Sequence, residues 1–100
     1  MLEKSRAVRI DPADNVAVML DSVKEGHKIE VIDNGKIIGE IEACNTIPVG
    51  HKVALLVIPK DGVIYKYGEA IGIAENLIEM GRHVHIHNVR ACHESLEVGK

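Results

Sequence analysis

A local pattern recurs four times in this 100-residue chain and limits the folds that are open to it. Each copy is an apolar anchor, then a glycine, then a new run rich in Val and Ile. The copies cover residues 23–29, 47–53, 58–64 and 78–84, and the third carries one extra residue before its glycine. Glycine accepts the positive φ that such turns often need. The pattern predicts short strands joined by nearly identical corners, at intervals too irregular for a solenoid.

The stretches between these corners read as strands. The predicted strands cover residues 6–10, 16–20, 29–32, 36–38, 52–57, 63–65, 70–74 and 83–88. The clearest hairpin turns at Asn34-Gly35, since Asn-Gly suits a type I′ turn. The core must be aliphatic, because the chain has no Trp or Phe and only two Tyr. The prediction is one compact all-β domain of short strands and glycine turns.

Charge and composition exclude several function classes. The net charge is −3, and the basic residues form no stripe, which argues against nucleic acid. No apolar stretch approaches the ~20 residues of a membrane span, and no signal peptide is evident. Cys44 and Cys92 form no CxxC pair, so reduced thiols and a cytoplasmic protein are expected, without a thiolate zinc site.

Three histidines alternate with two aliphatic residues in the segment RHVHIHN, residues 82–88. On a strand, His83, His85 and His87 would share one face, and the aliphatics between them would face the core. Neutral imidazole binds Zn²⁺, Fe²⁺, Mn²⁺ and Ni²⁺. Two of these histidines can reach one metal, whereas three on a straight strand would be strained. The segment therefore indicates either a site or a solvated strand face.

Several pieces of the chain together resemble the SAF-type small domain of the altronate dehydratase and galactarate dehydratase family. They are Gly50–Leu55 (GHKVAL), Ile64–Gly68 (IYKYG), Ile71-Gly72 and Gly81–Asn88 (GRHVHIHN), with Asp14–Val18 (DNVAV) resembling the start of that domain. The resemblance covers about residues 10–90. It divides the chain into an N-terminal extension with the first strand (1–9), a SAF-type domain (10–90) and a C-terminal tail (91–100).

The resemblance implies a β-clip fold, shared with antifreeze-like domains, and a role in a lyase. In some members this domain precedes a large catalytic domain; in others it is a separate small subunit. Because the chain stops soon after HVHIHN, the split form is expected, with a large dehydratase-type catalytic subunit as partner. The implied reaction removes water from a 2,3-dihydroxy sugar acid to give a 2-keto-3-deoxy acid. A divalent metal, Fe²⁺ or Mn²⁺, shared with the large subunit, is implied as cofactor.

The chemistry needs a base for the C2 proton and an acid for the leaving group, and histidine can do either. The candidate catalytic residues are His51, His83, His85 and His87, of which His85 and His87 are the candidate metal ligands. The candidate substrate-binding residues are Lys52, Lys66, Tyr67, Arg82 and Asn88. We expect the histidines to border an active site that the large subunit completes.

Three other interpretations stay open on the sequence. The chain can be the small subunit of a sulfolactate sulfo-lyase, which resembles it too. It can be a non-catalytic module that holds the large subunit, or a stand-alone protein that binds metal or a sugar acid. Open sheet edges also allow self-association.

Overall fold

The computed structural model describes residues 4–91, and within them the chain forms nine strands and no helix. The strands are β1 (Ser5–Arg9), β2 (Val16–Met19), β3 (Lys28–Asp33), β4 (Lys36–Glu42), β5 (Lys52–Ala54), β6 (Val63–Lys66), β7 (Glu69–Ala74), β8 (His83–Val84) and β9 (Val89–Arg90). The all-β prediction is confirmed. No helix that could span a membrane is found in this part of the chain. Cys92 and nearly all of the predicted tail lie outside the described residues.

The strands form two sheets. The larger has the order β4-β3-β1-β2-β5-β8, and the smaller has the order β6-β7-β9. The β1–β3 pair is parallel and every other named strand pair is antiparallel. The predicted hairpin is confirmed at the β3–β4 turn, where Asn34 and Gly35 have φ of 54° and 80°. The first strand, β1, lies inside the larger sheet, between β3 and β2.

The core consists of two aliphatic clusters, as the composition requires. One contains Ile29, Ile47 and Val53, and the other contains Ile58 and Ile78 among its members. Burying one such side chain contributes roughly 1.5–3 kcal/mol. The corner anchors pair across the molecule as isolated bridges, Val23 with Ile47 and Ile58 with Ile78. The anchor of each recurring segment is therefore a core residue.

All four recurring segments fold into the same type II turn. Each turn is closed by a backbone bond of 2.8–3.2 Å between residues three apart, donated by His27, His51, Gly62 and Arg82. The residue before each donor has a positive φ: 87° at Gly26, 86° at Gly50, 69° at Asp61 and 90° at Gly81.

The third corner differs from its prediction, because Asp61 rather than Gly62 takes the left-handed position. The segment therefore carries no extra residue before its turn. Gly62 is needed for a different reason: an added Cβ would lie 2.8 Å from the Pro59 carbonyl oxygen.

We expect Asp61→Val to be less stable than Asp61→Gly by about 1–2 kcal/mol in urea unfolding, because a β-branched residue is poorly accommodated at positive φ. Both variants lose the exposed 3.0 Å contact between Asp61 and Arg90, so their difference isolates the backbone effect. If the two variants unfold at the same urea concentration and with the same dependence on urea, the assignment of Asp61 to the left-handed position of the corner is contradicted.

The predicted strand over residues 83–88 is wrong beyond Val84. Only His83–Val84 is a strand, and a turn over residues 85–88 leads into β9. The Asn88 side chain explains the break, since it accepts the His85 N–H at 2.9 Å and donates to the His83 carbonyl at 2.8 Å. Val84 is fully buried as expected, whereas Ile86 is 83% exposed and does not face the core. The predicted strand over 52–57 likewise ends at Ala54.

Candidate functional site

The antiparallel pairing of β5 with β8 brings the Gly-His-Lys corner to the histidine segment. Lys52 pairs with Val84, and Val53 pairs with His83. If this register is extended by one residue beyond the Lys52–Val84 pair, His51 lies opposite His85. Residues opposite each other in an antiparallel pair have Cβ atoms about 4.5–5.5 Å apart, close enough for their side chains to touch. The corner at Gly50 and the short strand β8 therefore determine which imidazoles meet.

Four imidazole rings pack together at this point. The ring centroids of His51 and His85 are 4.1 Å apart, and those of His51 and His83 are 5.1 Å apart. His83 also stacks on His85 at 5.4 Å and contacts His87 at 5.1 Å. His51 Nδ1 lies 2.9 Å from His83 Nε2, a hydrogen bond in which one nitrogen donates and the other accepts. The four histidines predicted as catalytic are therefore neighbours.

Three of the four can direct ligand atoms at one point. One ring nitrogen from each of His51, His83 and His85 lies within 4.8 Å of the other two, and all three rings are half-buried. The tentative ligand pair from the sequence was His85 with His87. The converging group contains His85 but not His87, whose side chain is exposed and lies against His83.

The cluster disfavours the charged form of two of its imidazoles, those of His83 and His85. Desolvation lowers the pKa of His83 to about 4, with further lowering by His87, His51, His85 and Lys52. Desolvation also lowers the pKa of His85, assisted by His51, Lys52 and His87. His83 is therefore neutral at physiological pH, and one of its two ring nitrogens carries a lone pair that can accept a proton or bind a metal. Its low pKa suits a ligand better than a proton donor.

Two lysines add positive charge beside the histidines. Desolvation lowers the pKa of Lys52, and the nearby charge of Lys66 lowers it further. Among the described residues neither lysine forms an ion pair with a carboxylate. Lys52 and His85 line an open depression of about 270 Å³ with Ile71, Ile86 and Val89. The two lysines give this surface a positive charge that no ion pair within residues 4–91 compensates, in a chain whose net charge is −3.

The remaining predicted residues are divided between two other places. Arg82, His87 and Asn88 line a second open depression of about 430 Å³ with Asn45 and Glu79. Arg82 contacts Glu79 at 3.7 Å, so its charge is partly compensated. Both polar groups of the Asn88 side chain are used within the turn that it holds.

Tyr67 lies in the β6–β7 turn with φ of 59°, and its ring is 4.8 Å from Lys66 Nζ. The turn is held by Asp14, whose buried carboxylate accepts the N–H groups of Tyr67 at 2.9 Å and Gly68 at 2.7 Å. Two of the segments that carry the family resemblance are therefore in contact: Asp14, in the segment DNVAV, holds the turn that contains Tyr67 and Gly68 of the segment IYKYG.

Sequence reasoning missed Asn45. Its side-chain oxygen accepts the His83 N–H at 2.9 Å and so fixes the backbone beneath the central histidine. A single Asn in the loop before Ile47 gives no periodic or motif signal, and only the folded chain brings it to His83.

A profile of the altronate/galactarate dehydratase SAF domain matches residues 5–92. The altronate dehydratase of Bacillus subtilis (strain 168) is 34% identical over 83 residues, which are 83% of this chain and 16% of that protein. The galactarate dehydratase (L-threo-forming) of Escherichia coli (strain K12) is 38% identical over 79 residues, 74% of this chain and 13% of that protein. This chain thus spans a small fraction of both dehydratases.

A relative of similar size is also found. The (2R)-sulfolactate sulfo-lyase subunit alpha of Chromohalobacter salexigens is 33% identical over 75 residues, which are 73% of this chain and 79% of that subunit.

Proposed function

Because this chain belongs to the altronate/galactarate dehydratase SAF domain family, we propose that it is the small subunit of a cytoplasmic sugar-acid hydro-lyase. With a separate large subunit it removes water from a 2,3-dihydroxy acid and gives a 2-keto-3-deoxy acid. The observation that carries the proposal is the cluster of His51, His83 and His85 beside Lys52 and Lys66, which form no ion pair within residues 4–91. The small relative called a subunit supports the split arrangement.

The two lysines suit the anionic end of the substrate. A sugar acid presents a carboxylate, and Lys52 and Lys66 repel each other until an anion lies between them. Binding the carboxylate here brings the adjacent C2 and C3 towards His85, which shares the depression with Lys52. Positioning the reacting carbons beside a fixed base lowers the entropic part of the barrier.

The histidines suit the proton transfers. Dehydration requires a base that takes the proton from C2 and an acid that protonates the departing C3 hydroxyl. We assign the cluster to one of these transfers and the large subunit to the other. Neutral nitrogen donors fit a divalent metal, Fe²⁺ or Mn²⁺, which would supply Lewis acidity that stabilises the negative charge developing on the carboxylate. Arg82 and His87 line the second depression and Tyr67 lies beside Lys66, and we assign these residues to more distant parts of the substrate.

The test is reconstitution with a large dehydratase-type chain encoded beside this one. Purified large chain is assayed for 2-keto acid formation from altronate and galactarate with Fe²⁺ or Mn²⁺, with and without this chain. We expect turnover only when both chains are present. Equal turnover by the large chain alone would refute a catalytic contribution and leave at most a holding role.

We expect His85→Ala to lower kcat at least about tenfold in the reconstituted enzyme, since a general acid–base group and a ligand of a catalytic metal each contribute more than this. His27→Ala is the matched control, because His27 is exposed in another corner and belongs to no cluster within residues 4–91. Size-exclusion chromatography checks that both variants still assemble. Unchanged turnover for His85→Ala in an intact complex would count against a role for that residue.

A second candidate is the small subunit of a sulfolactate sulfo-lyase. The observation that favours it is length: the match covers 79% of a sulfo-lyase subunit alpha but 16% of an altronate dehydratase. The same reconstituted mixture distinguishes the two, because sulfolactate would release sulfite where a sugar acid releases water.

A further inference from the structure

The histidine cluster brings together three nitrogen donors from one chain. His51 comes from the corner before β5, and His83 and His85 come from β8 and the turn that follows it. We propose that these three residues form a divalent transition-metal site that this chain completes without the large subunit. This rests on and deepens the proposed function: it assigns the metal to the small subunit rather than to residues shared between both chains, and it gives His51, His83 and His85 a ligand role in place of the proton transfer assigned to them there.

The spacing of the ring nitrogens fits common coordination. Two nitrogens bound at about 2.1 Å to one ion are roughly 3.0 Å apart at a right angle and roughly 3.4 Å apart at the tetrahedral angle of zinc. His51 Nδ1 and His83 Nε2 are already 2.9 Å apart, and a nitrogen of His85 lies within 4.8 Å of both. Rotation of the half-buried His85 ring is the remaining adjustment. Three ligands on one side leave the other coordination positions open to substrate.

The backbone beneath the ligands is fixed in advance. Asn45 Oδ1 accepts the His83 N–H, and Asn88 Oδ1 accepts the His85 N–H, each at 2.9 Å. The type II turn at Gly50 holds the backbone at His51 through a bond of 3.2 Å to the Pro48 carbonyl. Because these bonds order the backbone before a metal arrives, metal binding does not have to supply that ordering.

The donor set also predicts which ions bind. Three neutral imidazoles without a carboxylate favour Co²⁺, Ni²⁺, Zn²⁺ and Fe²⁺, whereas Mg²⁺ and Ca²⁺ require oxygen ligands. The nearby charge of Lys52 opposes cations in general, so binding depends on the nitrogen lone pairs.

The experiment uses the full chain alone, freed of any affinity tag and treated with chelator. Calorimetric titration with Zn²⁺ and Co²⁺, together with Co²⁺ visible absorption, should give one site with a micromolar or tighter Kd. Mg²⁺ should give no binding. His83→Ala should weaken Zn²⁺ affinity at least tenfold, while His27→Ala should not. Circular dichroism confirms that each variant is folded.

His87→Ala separates this triad from the pair His85 and His87. If the triad alone binds the metal, His87→Ala changes Zn²⁺ affinity by less than about threefold. An effect as large as that of His83→Ala would overturn the assignment. Failure of the wild-type chain to bind Zn²⁺ or Co²⁺ at 100 μM would overturn the site itself. The reconstitution assay is unaffected by that failure, so it still tests the proposed function.

Discussion

Gly81→Ala is expected to destabilise the domain by about 2–5 kcal/mol, the largest effect of any substitution considered. Gly81 is buried with φ of 90°, and an added Cβ would lie 2.1 Å from the backbone oxygen of Glu42. Overpacking against backbone costs about 1–3 kcal/mol, and the left-handed conformation adds about 1–2 kcal/mol. For a small domain stable by about 5–15 kcal/mol, this is a large part of the total.

Gly26→Ala is the matched control for this prediction. Gly26 has the same turn and a φ of 87°, but nothing lies within 4 Å of its added Cβ. It should cost about 1–2 kcal/mol, from backbone conformation alone. Urea unfolding of both variants measures the difference. Equal losses would show that the chain relieves the Glu42 contact by a small shift.

The Gly81 corner also connects stability to the candidate site. Gly81 donates to the Ala54 carbonyl at 2.9 Å and accepts the Cys44 N–H at 2.8 Å, so it joins β5 to the loop before Asn45. The residues that follow are Arg82 and His83. A displaced corner would therefore separate His83 from His51 and from the oxygen of Asn45. Any Gly81→Ala protein that remains folded is expected to show weakened metal binding.

The sequence predicted those features that local chemistry determines. Asn34-Gly35 fixes the β3–β4 turn by itself, because both residues accept positive φ without help from the rest of the chain. The recurring corners were visible for the same reason. One corner was assigned to the wrong residue. Gly62 was taken as its left-handed residue because Asp61, which in fact has the positive φ, is of a type less common in that region than glycine.

The site was less predictable, because tertiary contacts build it. The alternation of His83, His85 and His87 indicated a single strand face, yet β8 ends at Val84. The Asn88 side chain replaces the ladder with a turn, and periodicity cannot reveal such a bond. The histidines still meet, since His51 arrives from β5 across the sheet. The sequence therefore predicted that the four histidines lie near one another. Which three of them direct nitrogen atoms at one point could be read only from the folded structure.

Asp14→Asn is expected to cost about 2–4 kcal/mol at pH 7. The Asp14 carboxylate is 4% exposed and accepts three backbone N–H groups, from Tyr67 at 2.9 Å, Gly68 at 2.7 Å and Asp11 at 3.1 Å. Hydrogen bonds to a charged group contribute about 1.5–3 kcal/mol each. In Asp14→Asn, the side-chain NH₂ group would replace one carboxylate oxygen and face a backbone N–H, so two donors would oppose each other. The negative charge would also be lost. Asp11→Asn is the control, because its Oδ1 acceptor for Ala13 is retained.

The effect of Asp14 has a definite pH dependence. Burial raises the pKa of this carboxyl, but the N–H groups of Gly68, Tyr67 and Asp11 outweigh it, so the pKa lies below the ordinary 3.8. A group with a depressed pKa stabilises the fold fully above its unfolded value and loses that contribution as the pH falls through the folded value. The gap between wild type and Asp14→Asn should therefore persist from pH 7 to pH 5 and narrow below about 3.8. Urea unfolding across this range measures it, and a gap that closes above pH 5 would show that the carboxylate is not held by these bonds.

Because the same carboxylate fixes the turn carrying Lys66 and Tyr67, the variant should also weaken sugar-acid binding at pH 7 while leaving Zn²⁺ affinity unchanged.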